Sequence, residues 1–406
     1  MDYFATEYET TGLQGGVCAV LEDSIMQKGR LVTSGSKILE NFVSPIDATV
    51  VTRLEEAGVT ILGKTKMDEF GAAGLFKDAE PFASGAVTAV VDGTASFALC
   101  NDFSGVVRMQ AAAKGVCYIH PTYGTVSRYG LIQAVPSMDQ IGIVCKTPAD
   151  GFRALSIIAG HNPKDGAMFP DVSRGALRIE NGEFGIENGA LRIENGEKHD
   201  SVDVTDAAAT TGGTPLRIGV PVNILAVIHD NGVLGAVREF AACFKTVEFE
   251  LEHFDFYTQV MQILCCAELS SSLCRYDGIK FGYRADGYNN LHELYAKSRT
   301  DAFGAHVKLA AMTGAMVLTH DMYDKYYDKA MRIRRLIKDS LSFDKYDALI
   351  IPTQPAEVGV ALHALPQLCG LPSVTFPFRS TGLTLIASAR HEDVLRRLKG
   401  DGYNDV

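Results

Sequence analysis

Residues 98–141 read ALCNDFSGVVRMQAAAKGVCYIHPTYGTVSRYGLIQAVPSMDQI, and the rest of the chain is best read outward from them. The apolar run 97–100 predicts a strand, the Gly/Ser stretch 102–105 a loop, the residues from Arg108 a short helix, and 116–119 a second strand. Strand-to-loop-to-helix turns of this kind aim backbone N–H groups at one point, which is how a fold builds an anion or oxyanion pocket. The layout is that of an active site. Whether its chemistry is present depends on the residues one by one.

Upstream, residues 17–21 have the pattern of a buried strand ending at Glu22-Asp23. SPIDATVVTRLEEAG (44–58) predicts a helix with Ser44 as N-cap, Pro45 at its first position and Gly58 at its end. Its Val50, Val51 and Leu54 would pack on a strand at 59–62, and this alternation suggests a mostly parallel, covered sheet. The text from 70 to 91 has no clear period. Downstream, Thr147 and Pro148 open a second capped helix that closes at Gly160. LRIENGE at 177–183 recurs at 191–197 with a degraded copy between. Asn-Gly in each unit and few apolar positions argue against a coiled coil, so 173–214 reads as an inserted polar loop without order of its own. A buried strand follows at 215–220, then a helix, a strand and a long helix. A pair of helices spans 292–342, the second with Tyr323, Tyr326, Tyr327, Ala330, Ile333 and Ile337 on one stripe. Lys325, Lys329, Arg332 and Arg335 on its other side read as a solvated face. A strand at 347–351 and edge strands at 370–378 and 383–387 end the pattern.

Composition sets the outer limits. The chain has 406 residues, a formal net charge of −11 and 47% hydrophobic residues, which suits a globular α/β protein and argues against direct nucleic-acid binding, a grip that rests on Lys and Arg. Nine cysteines without a C-x-x-C pair read as free thiols rather than disulfides or a zinc site. Neither a secretory signal nor an 18-residue apolar run is visible, so the expectation is a cytoplasmic protein without a membrane span, metal or cofactor.

Several segments together resemble the amidase signature family, in its branch of tRNA-dependent amidotransferase A subunits: SKILENFVSPIDATVVTRLEEAGVTILGKTKMDEF (36–70), HPTYGTVSRYGLIQAVPSMDQIG (120–142), AGHNPKD (159–165), LRIGVP (216–221), SSLCRYDGIKFGYRA (271–285) and DKYYDKAMRIRRLIK (324–338). The resemblance implies one amidase-like α/β/α domain over 1–406, short at its N-terminus, with a large mixed sheet covered by helices. It also implies heteromeric partner subunits. The family reaction is hydrolysis of the glutamine amide, the ammonia passing to tRNA-bound glutamate. It uses a Lys, a bridging Ser and a nucleophilic Ser.

By the same resemblance, those three positions fall on Glu22, Phe82 and Val106. Asp102, Phe103, Ser104 and Gly105 remain as the remnant of the oxyanion loop, and Lys64 is a separate family lysine. Glu22 reverses the charge of the base, Phe82 lacks the relay hydroxyl and Val106 lacks a nucleophilic atom, so no intact catalytic residue remains. Leu309-Ala310 also replaces an Arg-rich turn of the family. Rescue by Ser84 and Ser104 would still leave Glu22 as the wrong base. Cys100 reads as a core thiol, Glu22 and Asp23 point to opposite faces of their strand, and His120 has no second ligand nearby. The expectation is a catalytically inactive homologue. A functional glutamine-dependent amidotransferase or amidase and an eroded gene copy are the alternatives.

Overall fold

The computed structural model describes residues 2–8, 16–76, 82–170, 216–353 and 359–397, with four further backbone positions at 186–187 and 190–191. Its strands are β1 (Phe4–Glu7), β2 (Cys18–Glu22), β3 (Thr60–Thr65), β4 (Phe97–Asn101), β5 (Cys117–His120), β6 (Ile141–Cys145), the two-residue pair β7 (Ile186–Glu187) and β8 (Ala190–Leu191), then β9 (Arg217–Pro221), β10 (Lys245–Phe249), β11 (Ala348–Pro352), β12 (Ser373–Phe378) and β13 (Thr381–Ala387). Eleven of them form one sheet in the order β1-β3-β2-β4-β6-β5-β12-β13-β11-β9-β10. Apart from the β7–β8 pair, the repeat at 173–214 lies outside the described residues.

Alternation along the strands explains the two covered faces. Leu21, Leu99, Ile119, Ile143, Ile350, Val374 and Leu385 point to one side. There they meet α1 (Thr49–Glu56), α4 (Pro148–Ile158) and α6 (Asn231–Ala241) through Val51, Leu155 and Phe240. Val20, Ala98, Cys100, Tyr118 and Val144 point to the other side, under α2 (Gly85–Val91) and α3 (Val106–Ala113). Farther along that side Leu349, Ile351 and Ile386 are covered by a helical layer. It contains α7 (Tyr257–Leu273), α8 (Leu291–Ala302), α9 (Ala305–Val317), α11 (Lys329–Ser340) and α12 (Gly359–Cys369). Three short helices complete the set: α5 (Val222–Ala226), α10 (His320–Met322) and α13 (Glu392–Arg397). The α/β/α reading with a large mixed sheet therefore holds.

Four expectations need correction. The sheet is not mostly parallel: β3–β2–β4 and β11–β9–β10 are parallel wings, but every pairing from β4 through β6, β5, β12 and β13 to β11 is antiparallel. Strands β12 and β13 are interior rather than edge strands, since β12 also pairs with β5 and their residues are buried on both faces, as befits continuous apolar runs. Ser44 does not cap α1, which starts at Thr49 without a side-chain cap. Its Oγ instead closes a local turn with the backbone of Ile46, while the Asp47 carboxylate is taken by the Lys28 N–H at 2.7 Å. Finally, 292–342 is not two helices: α8, α9 and α11 cross it, with the short α10 and a π-helical segment, Tyr323–Asp328, leading into α11. The extra residue per turn breaks the expected stripe. Tyr323 and Tyr326 face solvent, whereas Ala330 and Ile337 stay buried. On the charged side Arg332 and Arg335 pair with Asp328 and Asp339, as expected of a solvated face.

Candidate active site

Parallel strands β2 and β4 end side by side, and a crevice at the carboxyl ends of adjacent parallel strands is where open α/β sheets place their chemistry. Glu22 is the last residue of β2 and is buried. Its Oε2 accepts from Ser24 Oγ at 2.6 Å and from the Asn101 N–H at 3.0 Å, which locks the carboxyl against the start of the loop. Burial, with Asp68 and Asp102 adding negative charge, pushes its pKa up to about 8 despite those two bonds. At neutral pH Glu22 is thus a neutral acid, not a base. Asp23 turns away and accepts from Thr33 N–H at 3.0 Å and from the Thr33 hydroxyl, so the two acids do not form a pair.

The loop after β4 leads into α3 two residues earlier than expected, and Val106 is the first helical residue. Gly105 enters the helix at φ 85°, a backbone conformation that a side chain would strain, and a Cβ there would lie 2.6 Å from the Cβ of His363. Asp102 replaces the missing N-cap. Its carboxylate accepts from the N–H groups of Val107 (3.1 Å) and Arg108 (3.0 Å) and pairs with Arg108 Nε at 3.3 Å. Among the described residues none accepts a hydrogen bond from the amides of Phe103, Ser104, Gly105 or Val106. The loop thus presents free amides at a helix N-terminus, where a partial positive charge favours an anion. Ser104 and Val106 face the 73–75 turn, where a Cβ on Gly74 would come within 2.5 Å of Ser104 Oγ and 2.7 Å of Val106 Cγ2.

Phe82 joins the site through its backbone. Gln110 of α3 donates from Nε2 to the Phe82 carbonyl at 2.6 Å and accepts from the Ser84 N–H at 2.8 Å, while the Phe82 ring is half exposed. Ser84 Oγ is spent as the N-cap of α2, accepting from Val87 N–H at 3.4 Å. Lys64 is fully buried on β3, donates to the Ile25 carbonyl and is lowered by burial to about 8. Cys100 is buried, which holds its thiol well above the ordinary range. Among the described residues no group of three His, Cys, Asp or Glu is arranged to hold a metal ion, and no helix is long and apolar enough to cross a membrane.

The structure thus bonds Glu22 to Asn101, the residue before the 102–105 loop, and ties the Phe82 segment to α3, the helix that follows that loop. Three contributors were missed in the sequence. Asp68, raised to about 6 by burial, sits near Glu22 and Asp102. His363, under Gly105, and Gln367, whose Nε2 donates to the Asp102 carbonyl at 2.9 Å, both come from α12. A lone His and Gln on an apolar helix carry no motif, so only the tertiary contact reveals them.

Comparison with known proteins places this geometry. The amidase family model matches residues 2–75 and 83–361. The A subunit of glutamyl-tRNA(Gln) amidotransferase from Lachnoclostridium phytofermentans is 35% identical over 400 residues, covering 89% of this chain and 75% of the relative. That of Carboxydothermus hydrogenoformans is 35% identical over 369 residues, covering 86% and 70%. The crystal structure of the corresponding A subunit from Thermotoga maritima superposes with a TM-score of 0.68 at 25% identity, over 98% of this chain and 86% of that one. A 6-aminohexanoate cyclic dimer hydrolase, at 17% identity and a TM-score of 0.66 over 95% of this chain and 83% of its own, shares the fold. The match over most of the length, with the loop and sheet geometry described above, shows that the chain belongs to the amidase signature family.

Proposed function

We propose that this chain is a non-catalytic amidase-fold protein, homologous to the A subunit of glutamyl-tRNA(Gln) amidotransferase, that does not hydrolyse glutamine. One observation carries the reading: the side chains at Glu22, Phe82 and Val106 include no nucleophile and no base, although the loop that would hold an oxyanion keeps its free amides. Free amides stabilise a tetrahedral intermediate only after a nucleophile has formed one. Glu22 holds its proton at neutral pH and cannot accept another, and Ser84 is engaged in capping α2. What the fold keeps is a scaffold. The relatives are named as subunits, and this supports a second part of the proposal, that the chain associates with partner subunits of a tRNA-dependent amidotransferase.

Two measurements test the proposal. Intact-mass spectrometry after incubation with glutamine is expected to show no covalent glutamyl adduct, and an adduct mapped to Ser104 or Cys100 would overturn the non-catalytic reading. Co-expression with the amidotransferase partner subunits is expected to yield a complex on size exclusion, and elution of this chain alone would refute the scaffold role.

A further inference from the structure

The sheet face beneath α3 is unusually polar for a buried surface. Tyr118 and His120 of β5 point to it, Ser373 and Thr375 lie directly opposite them on β12, and Thr375 Oγ1 is 2.8 Å from Thr384 Oγ1 on β13. Within this layer and the adjoining α12, seven buried side-chain atoms have no hydrogen-bond partner: Tyr118 Oη, which lies over Gly142, and six more, Arg108 Nη1, His120 Nδ1, Thr353 Oγ1, His363 Nδ1, Gln367 Oε1 and Ser373 Oγ. All seven residues are at least 98% buried.

These atoms form a chain of neighbours around Arg108, with Thr353 Oγ1 at its far end against Gly382 and Ala112. The Asp102 carbonyl accepts from Gln367 Nε2 at 2.9 Å and from Arg108 Nη2 at 3.4 Å, which sets the Gln367 amide beside the guanidinium. His363 precedes Gln367 by one helical turn and bonds the Thr353 carbonyl through Nε2 at 2.9 Å. Ser373 is the cross-strand partner of His120, and the Arg108 guanidinium lies 5.7 Å from the ring of Tyr118, two residues before His120 on the same face. Arg108 acts electrostatically on both histidines.

The pattern of donors and acceptors selects the occupant. Arg108 Nη1 can only donate. Gln367 Oε1 can only accept, and so can His363 Nδ1, because Nε2 of that ring donates to a carbonyl. An anion would leave the two acceptors unsatisfied, and a cation would leave Arg108 unsatisfied. The charge is already balanced by the Asp102–Arg108 pair, and burial holds both histidines neutral. Six such groups left unpaired would cost a share of net stability that a folded domain cannot spare. We propose that the space between α3, α12 and strands β5 and β12 is a closed binding chamber for small neutral molecules that both donate and accept hydrogen bonds, with water as the resident ligand. At about three hydrogen bonds per buried water, six groups call for roughly two or three waters. The chamber lies immediately behind the 102–105 loop, so its contents fix the position of that loop through Asp102, Gln367 and His363.

The test uses the full chain and water itself as the probe. Oxygen-17 relaxation dispersion is expected to count roughly one or two more long-lived waters in the wild type than in Thr353→Val/Ser373→Ala combined with His120→Phe, which removes three of the six groups and fills space. An unchanged count in a folded variant overturns the proposal. Should that variant fail to fold, a high-resolution crystal structure of the wild-type chain decides. Water peaks about 2.7–3.2 Å from at least four of the six atoms support the chamber. A dry region whose six groups pair with one another, or density for an anion on Arg108, refutes it.

Discussion

The two halves of the stretch 98–141 fold against each other and have opposite characters. From Pro121 to Gln140 nearly every buried polar group is paired. Arg128 grips Asp165 through Nη2 (2.9 Å) and Nε (3.1 Å), and Asp139 accepts from Asn101 Nδ2 (2.9 Å) and from the Ala134 and Val135 amides. Gln140 donates to the Pro121 carbonyl at 2.6 Å, and Ser137 N–H to Glu268 at 2.7 Å. From Asp102 to Arg108 the loop keeps its shape and its helix cap, yet its amides point at no acceptor among the described residues and Val106 presents only methyl groups. The difference teaches that the fold draws its stability from the first half and nothing from a reactive group in the second. Val106 contributes no side-chain hydrogen bond to the sheet, so the frame of the loop does not depend on a reactive group at that position.

The contrast can be broken most severely at its stable end. Asp165→Ala leaves the Arg128 guanidinium buried without its bidentate partner, and a loss of about 3–5 kcal/mol is expected by urea unfolding. A loss below about 1 kcal/mol would show that the first half does not carry the fold.

Glu22 sharpens the other end. Its folded value is about 8 against 4.5 unfolded. Between these pH values the unfolded chain has released the proton and the folded chain keeps it, so stability falls as pH rises, by up to about 1.4 kcal/mol per pH unit. Glu22→Gln should be more stable than wild type at pH 8, with the advantage shrinking to nothing near pH 4.5. Parallel stability profiles for the two proteins would contradict a proton-holding Glu22.

Smaller effects are expected where the two halves meet solvent or a cap. Ser84→Ala removes the N-cap of α2 and should cost about 1 kcal/mol in thermal or urea unfolding. Arg335→Ala, on an exposed pair with Asp339, should cost less than about 0.5 kcal/mol. A larger loss there would mean that the charged face of α11 is an interface rather than a solvated surface.

What could be read from the sequence follows the range of the interactions involved. The helix opened by Thr147 and Pro148 was legible because its cap bond, Asp150 N–H to Thr147 Oγ1 at 3.2 Å, lies within one turn. The loop at 102–105 was legible for the same local reason. The place of β12 and β13 in the middle of the sheet was not, since it rests on Ser373 lying opposite His120 across a separation of some 250 residues. Ser44 misled because a cap-like residue found a better partner in its own turn. At the site, the end of the strand at Glu22 could be read in advance, but the neutral state of Glu22 comes from burial beside Asp68 and Asp102, which no spacing encodes.

The central claim, that the loop is kept and its chemistry is gone, is tested most directly by ammonia release from glutamine at pH 7–8 by the purified chain, with and without partner subunits. The expected rate is that of buffer alone, unchanged in Ser104→Ala and in Glu22→Gln. Ammonia release above that rate, abolished by Ser104→Ala, would contradict the account.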